Sequence, residues 1–147
     1  MDKRLERTLV EKYPNLYQNY GGDIRQTCMG WGFSCGDGWF KLIDELSAKL
    51  EAKGIVASQV KEKFGGLRFY IDPCEKDVFD EVHKLIDEAA SESLKTCEIC
   101  GKPGELRTGG WLKTTCDKCQ TLLDKGNVAW KEPELFGSVY ETLFGTA

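Results

Sequence analysis

Four cysteines in the C-terminal third of the chain form two Cys-x-x-Cys pairs. The first pair is Cys97 and Cys100, the second is Cys116 and Cys119, and fifteen residues separate them. Two pairs at this separation are typical of a zinc site with four thiolate ligands. We therefore predict one structural Zn²⁺ held by these side chains, with iron in the same cage as the alternative. Because four thiolates close the coordination sphere, the site is not expected to be catalytic.

The residues between the two cysteine pairs predict a hairpin that brings the pairs together. Gly109 and Gly110 form a two-residue turn signal, and turning the chain there places Leu106 opposite Lys113. The two pairs then meet at the base of the hairpin. Residues 95–125 are therefore predicted to be a zinc-ribbon-like segment. So short a segment depends on its metal to fold.

The residues before the cysteines predict an α+β core, 1–94, in which helices pack on a small antiparallel hairpin sheet. Apolar residues at helical spacing predict three helices, at 2–13, 37–54 and 75–94. Asp37 is expected to cap the second helix, and a short fourth helix is expected after Cys119. Residues 15–38 are rich in Gly, Asn and aromatic residues and predict a loop. The tail, 126–147, is apolar enough to pack on the core.

The predicted sheet is a hairpin that turns at Gly65-Gly66, with strands at 58–64 and 67–71. Because strand side chains alternate, one face would carry five apolar residues: Val60, Phe64, Leu67, Phe69 and Ile71. The opposite face, which we call the basic face, would carry Lys61, Lys63, Arg68 and Tyr70. Glu62 falls on the apolar face, where a carboxylate needs a partner or a raised pKa. It is therefore expected at the hairpin margin or in a structural pair.

The basic face is the first candidate for binding a partner, because basic groups beside an aromatic ring suit phosphates and stacked bases. The alternative is a solvated face whose cations pair with the third helix. That helix is acidic, with seven acidic residues and two lysines between positions 75 and 92. Trp31 and Trp39, in a glycine-rich segment, are further candidates for partner contact. Trp39 is equally well interpreted as the first core residue of its helix.

The other side chains of chemical interest do not form a catalytic pattern. His83 is the only histidine, which excludes a His-based triad. No Walker loop, dinucleotide fingerprint, nucleophile elbow or HExxH motif occurs, so a non-enzymatic role is favoured and enzymatic activity stays an open question. Three further cysteines, Cys28, Cys35 and Cys74, are interpreted as buried or free thiols, with a second metal site as the alternative.

Composition and charge limit the classes of protein. The chain is 41% hydrophobic and 30% charged, which is ordinary for a globular protein with a packed core. The formal net charge of −4 argues against a dedicated DNA-binding module, which usually has a basic excess. No apolar run of signal-peptide length begins the chain and no apolar stretch reaches about 18 residues, so no membrane association is expected. Seven cysteines then favour metal ligation in a reducing cytoplasm over disulfides.

Two motifs of this sequence together resemble a family of small proteins of bacteriophages and prophages. In that family a Gly-Trp helix start precedes a KEKFGGLRFY hairpin, and an acidic helix and a CE-x-CG-x-PG zinc-type segment follow. The matching positions here are Gly38 and Trp39, then 59–70, then 93–119. The resemblance spans residues 36–120.

This resemblance implies an accessory role for a phage or prophage in the cytoplasm of its bacterial host, and it implies no known activity. Many accessory proteins of that kind bind and block a host component, including defence components. The leading hypothesis is therefore non-enzymatic binding to a host protein. One alternative is nucleic-acid binding through the basic face and the lysines of the zinc ribbon. The second is a nucleotide-binding or small hydrolytic protein that uses the Gly65-Gly66 turn.

Overall fold

The computed structural model describes residues 1–126, which fold as an α+β protein with four helices, a three-stranded sheet and a two-stranded sheet. The predicted fold class is confirmed. The helices are α1 (Lys3–Lys12), α2 (Phe40–Glu51), α3 (Lys76–Ser93) and α4 (Asp117–Asp124). The strands are β1 (Phe33–Ser34), β2 (Ala57–Lys63), β3 (Gly66–Ile71), β4 (Glu105–Arg107) and β5 (Lys113–Thr115). The prediction that the tail packs on the core falls on residues 127–147, outside the described residues.

The first three helices lie where the apolar spacing predicts them. The Asp2 side chain accepts a hydrogen bond from Arg4 N at 2.7 Å and caps α1. Asp37 behaves differently from the prediction, because it does not cap the helix that follows it. Its Oδ1 accepts instead from Asp2 N at 2.7 Å. A carboxylate predicted to serve its own helix therefore ties the start of α1 to the start of α2.

The three-stranded sheet has the order β1-β2-β3, and its first strand is missing from the prediction. β1 pairs parallel to β2, with Phe33 beside Val60. The predicted loop at 15–38 also supplies core residues, since Leu16, Tyr17 and Met29 are fully or almost fully buried. Short segments with mixed composition carry little periodicity, so their burial depends on partners far away in the sequence.

The hairpin of β2 and β3 turns one residue earlier than predicted. Lys63 pairs with Gly66, so the turn residues are Phe64 and Gly65, with φ of 54° and 84°. Two residues with positive φ make a type I′ turn, which matches the twist of the flanking strands. The Glu62 carboxylate accepts from Gly65 N at 2.8 Å and stabilises this turn. Phe64 therefore leaves the predicted apolar face and is 63% exposed.

The core lies between the sheet and the helices. Val60, Leu67 and Phe69 point into it, and the Tyr17 ring contacts the Phe69 ring with a centroid distance of 6.4 Å. The Tyr17 hydroxyl is hydrogen-bonded to Ser47 Oγ on α2 at 2.5 Å. None of the helices within residues 1–126 combines the length and the apolar character needed to cross a membrane.

Candidate metal centre

The four predicted cysteines meet at one point. The Sγ atoms of Cys97, Cys100, Cys116 and Cys119 all lie within 4.8 Å of one another, and those of Cys100 and Cys116 are 3.6 Å apart. A tetrahedral Zn²⁺ with Zn–S bonds of about 2.3 Å requires sulfur separations of about 3.8 Å. Cys97 and Cys119 are fully buried, and the other two are half-buried. The donor set and its spacing therefore fit a metal ion.

Each cysteine pair is held by a local backbone feature. The turn after Cys97 ends at Gly101, whose N–H donates to Cys97 O at 2.9 Å and whose φ is +79°. That φ lies in the left-handed region, which favours glycine. The second pair begins α4, because the Cys116 sulfur caps the helix and accepts from Cys119 N at 3.5 Å. A tight turn and a helix start thus aim the two pairs at each other.

The hairpin that joins the two pairs differs in detail from the prediction. Leu106 pairs with Thr114 rather than Lys113, and Arg107 pairs with Lys113. The connection therefore runs over 108–112 instead of a two-residue turn at Gly109 and Gly110. The two strands still bring the cysteine pairs together. The changed register does not involve the ligands, because all four cysteines lie outside the paired residues.

The thiols of the cluster interact strongly. The hydrogen bond with Cys119 lowers the pKa of Cys97 to about 5, and the same hydrogen bond raises the pKa of Cys119. Burial raises the pKa of Cys100 to about 11. Thiolates this close together repel one another, so several of them need a cation to offset their charge. A divalent metal ion supplies that charge, since metal coordination deprotonates thiols.

The cysteine segment is docked against the residues just before α2. Gly38 N donates to Glu98 O at 2.8 Å, and Gly36 N donates to Glu98 Oε2 at 2.8 Å. The Trp39 indole donates to Thr96 O at 2.9 Å. A side chain on Gly38 would overlap the carbonyl oxygen of Cys97, so the two backbones touch directly. Burial raises the pKa of the Glu98 carboxyl to about 8.

This docking is the part of the site that the sequence did not predict. The available signal was the spacing of Gly36 and Gly38 beside Trp39, because closely spaced glycines permit another backbone to approach. The glycines alone do not identify that backbone. Glu98 lies between two metal-ligand candidates and carries no pattern that marks it as buried.

The four residues of the basic face share one side of the sheet. Lys61 lies opposite Arg68, with Lys63 and Tyr70 two residues further along their strands. None of the three cations forms an ion pair with another residue of the described part of the chain. The alternative in which they pair with α3 therefore finds no support there. Tyr70 is 43% exposed.

The two tryptophan candidates differ. Trp31 is 64% exposed, and it stays a candidate for partner contact. Trp39 is completely buried, so the prediction that it contacts a partner is wrong. Its ring packs in the core and its N–H is taken by Thr96, as the core interpretation of this residue requires.

The remaining cysteines and the histidine do not assemble a second metal site among the described residues. Within residues 1–126, the only group of three or more His, Cys, Asp or Glu side chains placed to hold a metal is the four-cysteine cluster. Cys28 is exposed, and Cys35 is buried with a thiol pKa that burial raises. His83 packs on the Phe79 ring with centroids 4.0 Å apart.

Comparison of the chain with protein-family models, with curated proteins and with solved structures finds no match. The candidate metal centre therefore rests on its own geometry, as a group of four buried or half-buried cysteines with the donor chemistry and spacing of a metal site.

Proposed function

We propose that this chain is a non-enzymatic binding protein of a phage or prophage, that it acts on a host protein, and that a structural Zn²⁺ stabilises its C-terminal segment. A host defence component is one such target. The observation that carries the binding role is the basic face, on which three cations have no ion pair within residues 1–126. The phage setting rests on the resemblance of residues 36–120.

The metal is proposed to be zinc because a closed set of four thiolates suits its tetrahedral preference and its affinity for sulfur. Its role is structural, since four protein ligands leave no position for substrate. Elemental analysis of the purified chain should find one zinc per chain. Iron in the same cage would instead give a coloured protein with visible thiolate-to-iron absorption, and that result would overturn the assignment.

The basic face supports a partner-binding role because its three cations form no ion pair within the described residues. Lys63 is exposed, and Lys61 and Arg68 are half-buried. Unpaired cations around an exposed tyrosine favour an acidic surface as partner, since complementary charge raises the association rate and selects the partner. Arg68 and Tyr70 also belong to residue types enriched at interface centres.

The test is capture of partners from a bacterial host lysate, with and without nuclease, followed by reconstitution with the purified partner. We expect the same host protein in both arms. The double variant Lys61→Ala/Arg68→Ala should lose it, and the control Lys41→Ala/Lys49→Ala, which removes two exposed lysines of α2 and so changes the charge equally, should retain it. Equal capture by both double variants would refute this role for the basic face.

Nucleic-acid binding is the second candidate, and the same unpaired cations beside Tyr70 favour it. Phosphates would contact the cations, and a base would stack on the ring. This function predicts binding that weakens steeply with salt and that nuclease removes from the capture experiment. Binding that is insensitive to salt would exclude it.

The nucleotide-binding alternative has less support from the contacts of the turn. A phosphate cradle needs free backbone N–H groups. Gly65 N is taken by the Glu62 carboxylate, and Gly65 O accepts from Thr114 Oγ1 at 2.7 Å. A nucleotide panel read by thermal shift tests it, with a shift expected only if this alternative is correct.

A further inference from the structure

A groove lies between the hairpin tip, the end of α3 and β4. Its volume is about 370 Å³. Its apolar lining comes from Phe64, Leu94 and Leu106, which are 63%, 38% and 38% exposed. Three large apolar side chains that face solvent around one concavity mark a binding site more specifically than scattered surface residues do.

Phe64 is held in this groove at a conformational cost. Its φ of 54° lies in the left-handed region, where a residue other than glycine is disfavoured. The ring is not in the core, so burial does not offset that cost. Strain of this kind is retained mainly at functional positions. An exposed, strained phenylalanine therefore indicates that its ring has a role outside folding.

The two sides of the groove differ in charge. Lys63 and Arg68 line the side formed by the hairpin, and the Lys63 ammonium lies 5.4 Å from the centroid of the Phe64 ring. Asp87 lines the opposite side, on the acidic surface of α3. An occupant with carboxylates beside an apolar group would place its charges against the hairpin side and away from Asp87.

The metal segment holds the groove in shape. Thr114 Oγ1, on β5, donates to Gly65 O at 2.7 Å. A side chain on Gly65 would overlap Leu106 Cδ1, so the hairpin tip rests directly on the metal hairpin. On the other side, Leu67 N donates to Ser93 Oγ at the end of α3 at 2.9 Å. The groove is therefore formed before any ligand arrives, which lowers the entropy cost of binding.

We propose that this groove binds a short acidic peptide segment of the partner protein, with one bulky apolar side chain inserted between Phe64, Leu94 and Leu106 and flanking carboxylates on Lys63 and Arg68. This peptide site specifies how the binding function proposed above is carried out, and it rests on that proposed function. A nucleic acid fits less well, because its phosphates would run along the carboxylates of α3 beside Asp87.

The test uses fluorescein-labelled synthetic peptides and the zinc-loaded full chain, with binding read by fluorescence anisotropy. The probes are Asp-Asp-Phe-Asp-Asp, its Asp-Asp-Ala-Asp-Asp counterpart, and a short oligothymidylate. We expect the phenylalanine peptide to bind roughly tenfold more tightly than the alanine peptide, because only it fills the apolar lining. Equal binding of the two peptides, or tighter binding of the oligonucleotide, would overturn the inference.

A matched pair of variants locates the binding. Phe64→Asn introduces a residue that tolerates positive φ, so the variant should fold. Its affinity for the phenylalanine peptide should fall to that of the wild-type chain for the alanine peptide. Phe79→Asn removes an aromatic ring of α3 that is 46% exposed and lies outside the groove. This variant should bind the phenylalanine peptide as tightly as the wild-type chain does.

The two proposals fail separately. If Phe64→Asn leaves peptide binding intact while Lys61→Ala/Arg68→Ala still abolishes capture of the host protein, the groove inference is overturned and the binding function stands. If neither change lowers capture, the basic face is not the binding surface and both proposals fall.

Discussion

The metal hairpin and the sheet hairpin begin from the same sequence signal and end with different roles. Each was predicted to turn at a Gly-Gly pair, and in each the strands pair in a register that differs from the predicted one. Among the described residues, a side chain added at Gly109 or Gly110 would meet no atom within 4 Å, whereas one added at Gly65 would overlap Leu106. The connection of the metal hairpin therefore leaves room at both of its glycines. In the sheet hairpin, the neighbouring hairpin packs on the turn, and the strained Phe64 is exposed to solvent.

The largest effect should come from a change in the metal ligands. Cys119→Ser removes a fully buried ligand, and metal binding contributes about 10 kcal/mol or more to the folding of four-ligand zinc segments. We expect loss of the zinc and a fall in unfolding free energy above about 4 kcal/mol, or roughly 10 °C in melting temperature. Elemental analysis and thermal circular dichroism measure both.

The control for that change is Cys28→Ser, which alters an exposed cysteine outside the cluster. It should keep the zinc and shift stability by less than about 0.5 kcal/mol. Full zinc content in Cys119→Ser, with unchanged melting, would mean that the four cysteines are not a metal centre.

The next effect concerns the contact between the metal segment and the core. Gly38→Ala would drive a methyl group into the Cys97 carbonyl oxygen, which must displace the turn that carries the first cysteine pair. The free energy of unfolding is expected to fall by about 1–3 kcal/mol, and a chelator should remove the zinc faster. Gly109→Ala has open space around its new methyl group and should behave as wild type. Equal zinc release from the two variants would show that docking does not support the metal site.

A smaller effect with the opposite sign is expected at the sheet hairpin. Phe64→Asn relieves the left-handed strain and creates the Asn-Gly pair that type I′ turns prefer. Stability should rise by about 1 kcal/mol, measured by chemical denaturation. A fall in stability would mean that the Phe64 ring contributes to folding after all, and its role in the groove would lose its main support.

The smallest change in stability should follow Lys61→Ala/Arg68→Ala. Neither side chain has an ion pair within the described residues, so the unfolding free energy should stay within about 0.5 kcal/mol of wild type. Denaturation at low and high salt provides the check. A loss well above that value would show that the basic face is structural, and its assignment to partner binding would need another basis.

Much of the fold followed from local patterns. Apolar spacing located α1, α2 and α3, since a helix that packs on a core repeats its apolar residues every three to four positions. The strand pattern located β2 and β3 but placed their turn one residue late, because local preference favours glycine at both turn positions and does not indicate that Phe64 adopts a left-handed φ. The contact of Glu62 with Gly65 N stabilises the earlier turn. Strand β1 was missed because two residues carry no period.

The sequence by itself determined the set of four cysteines, the helices and the fold class, because spacing along one element reports which of its residues are buried or share a ligand. Only the tertiary structure decided where Asp37 and Glu98 direct their carboxylates, that Trp39 is inaccessible, and that Phe64 lies beside Leu106. Those outcomes depend on elements far apart in the chain, and no local spacing encodes which backbone meets which. For the metal centre, the cysteine pattern named the ligands, and the docking of Glu98 on Gly36 and Gly38 joined them to the core.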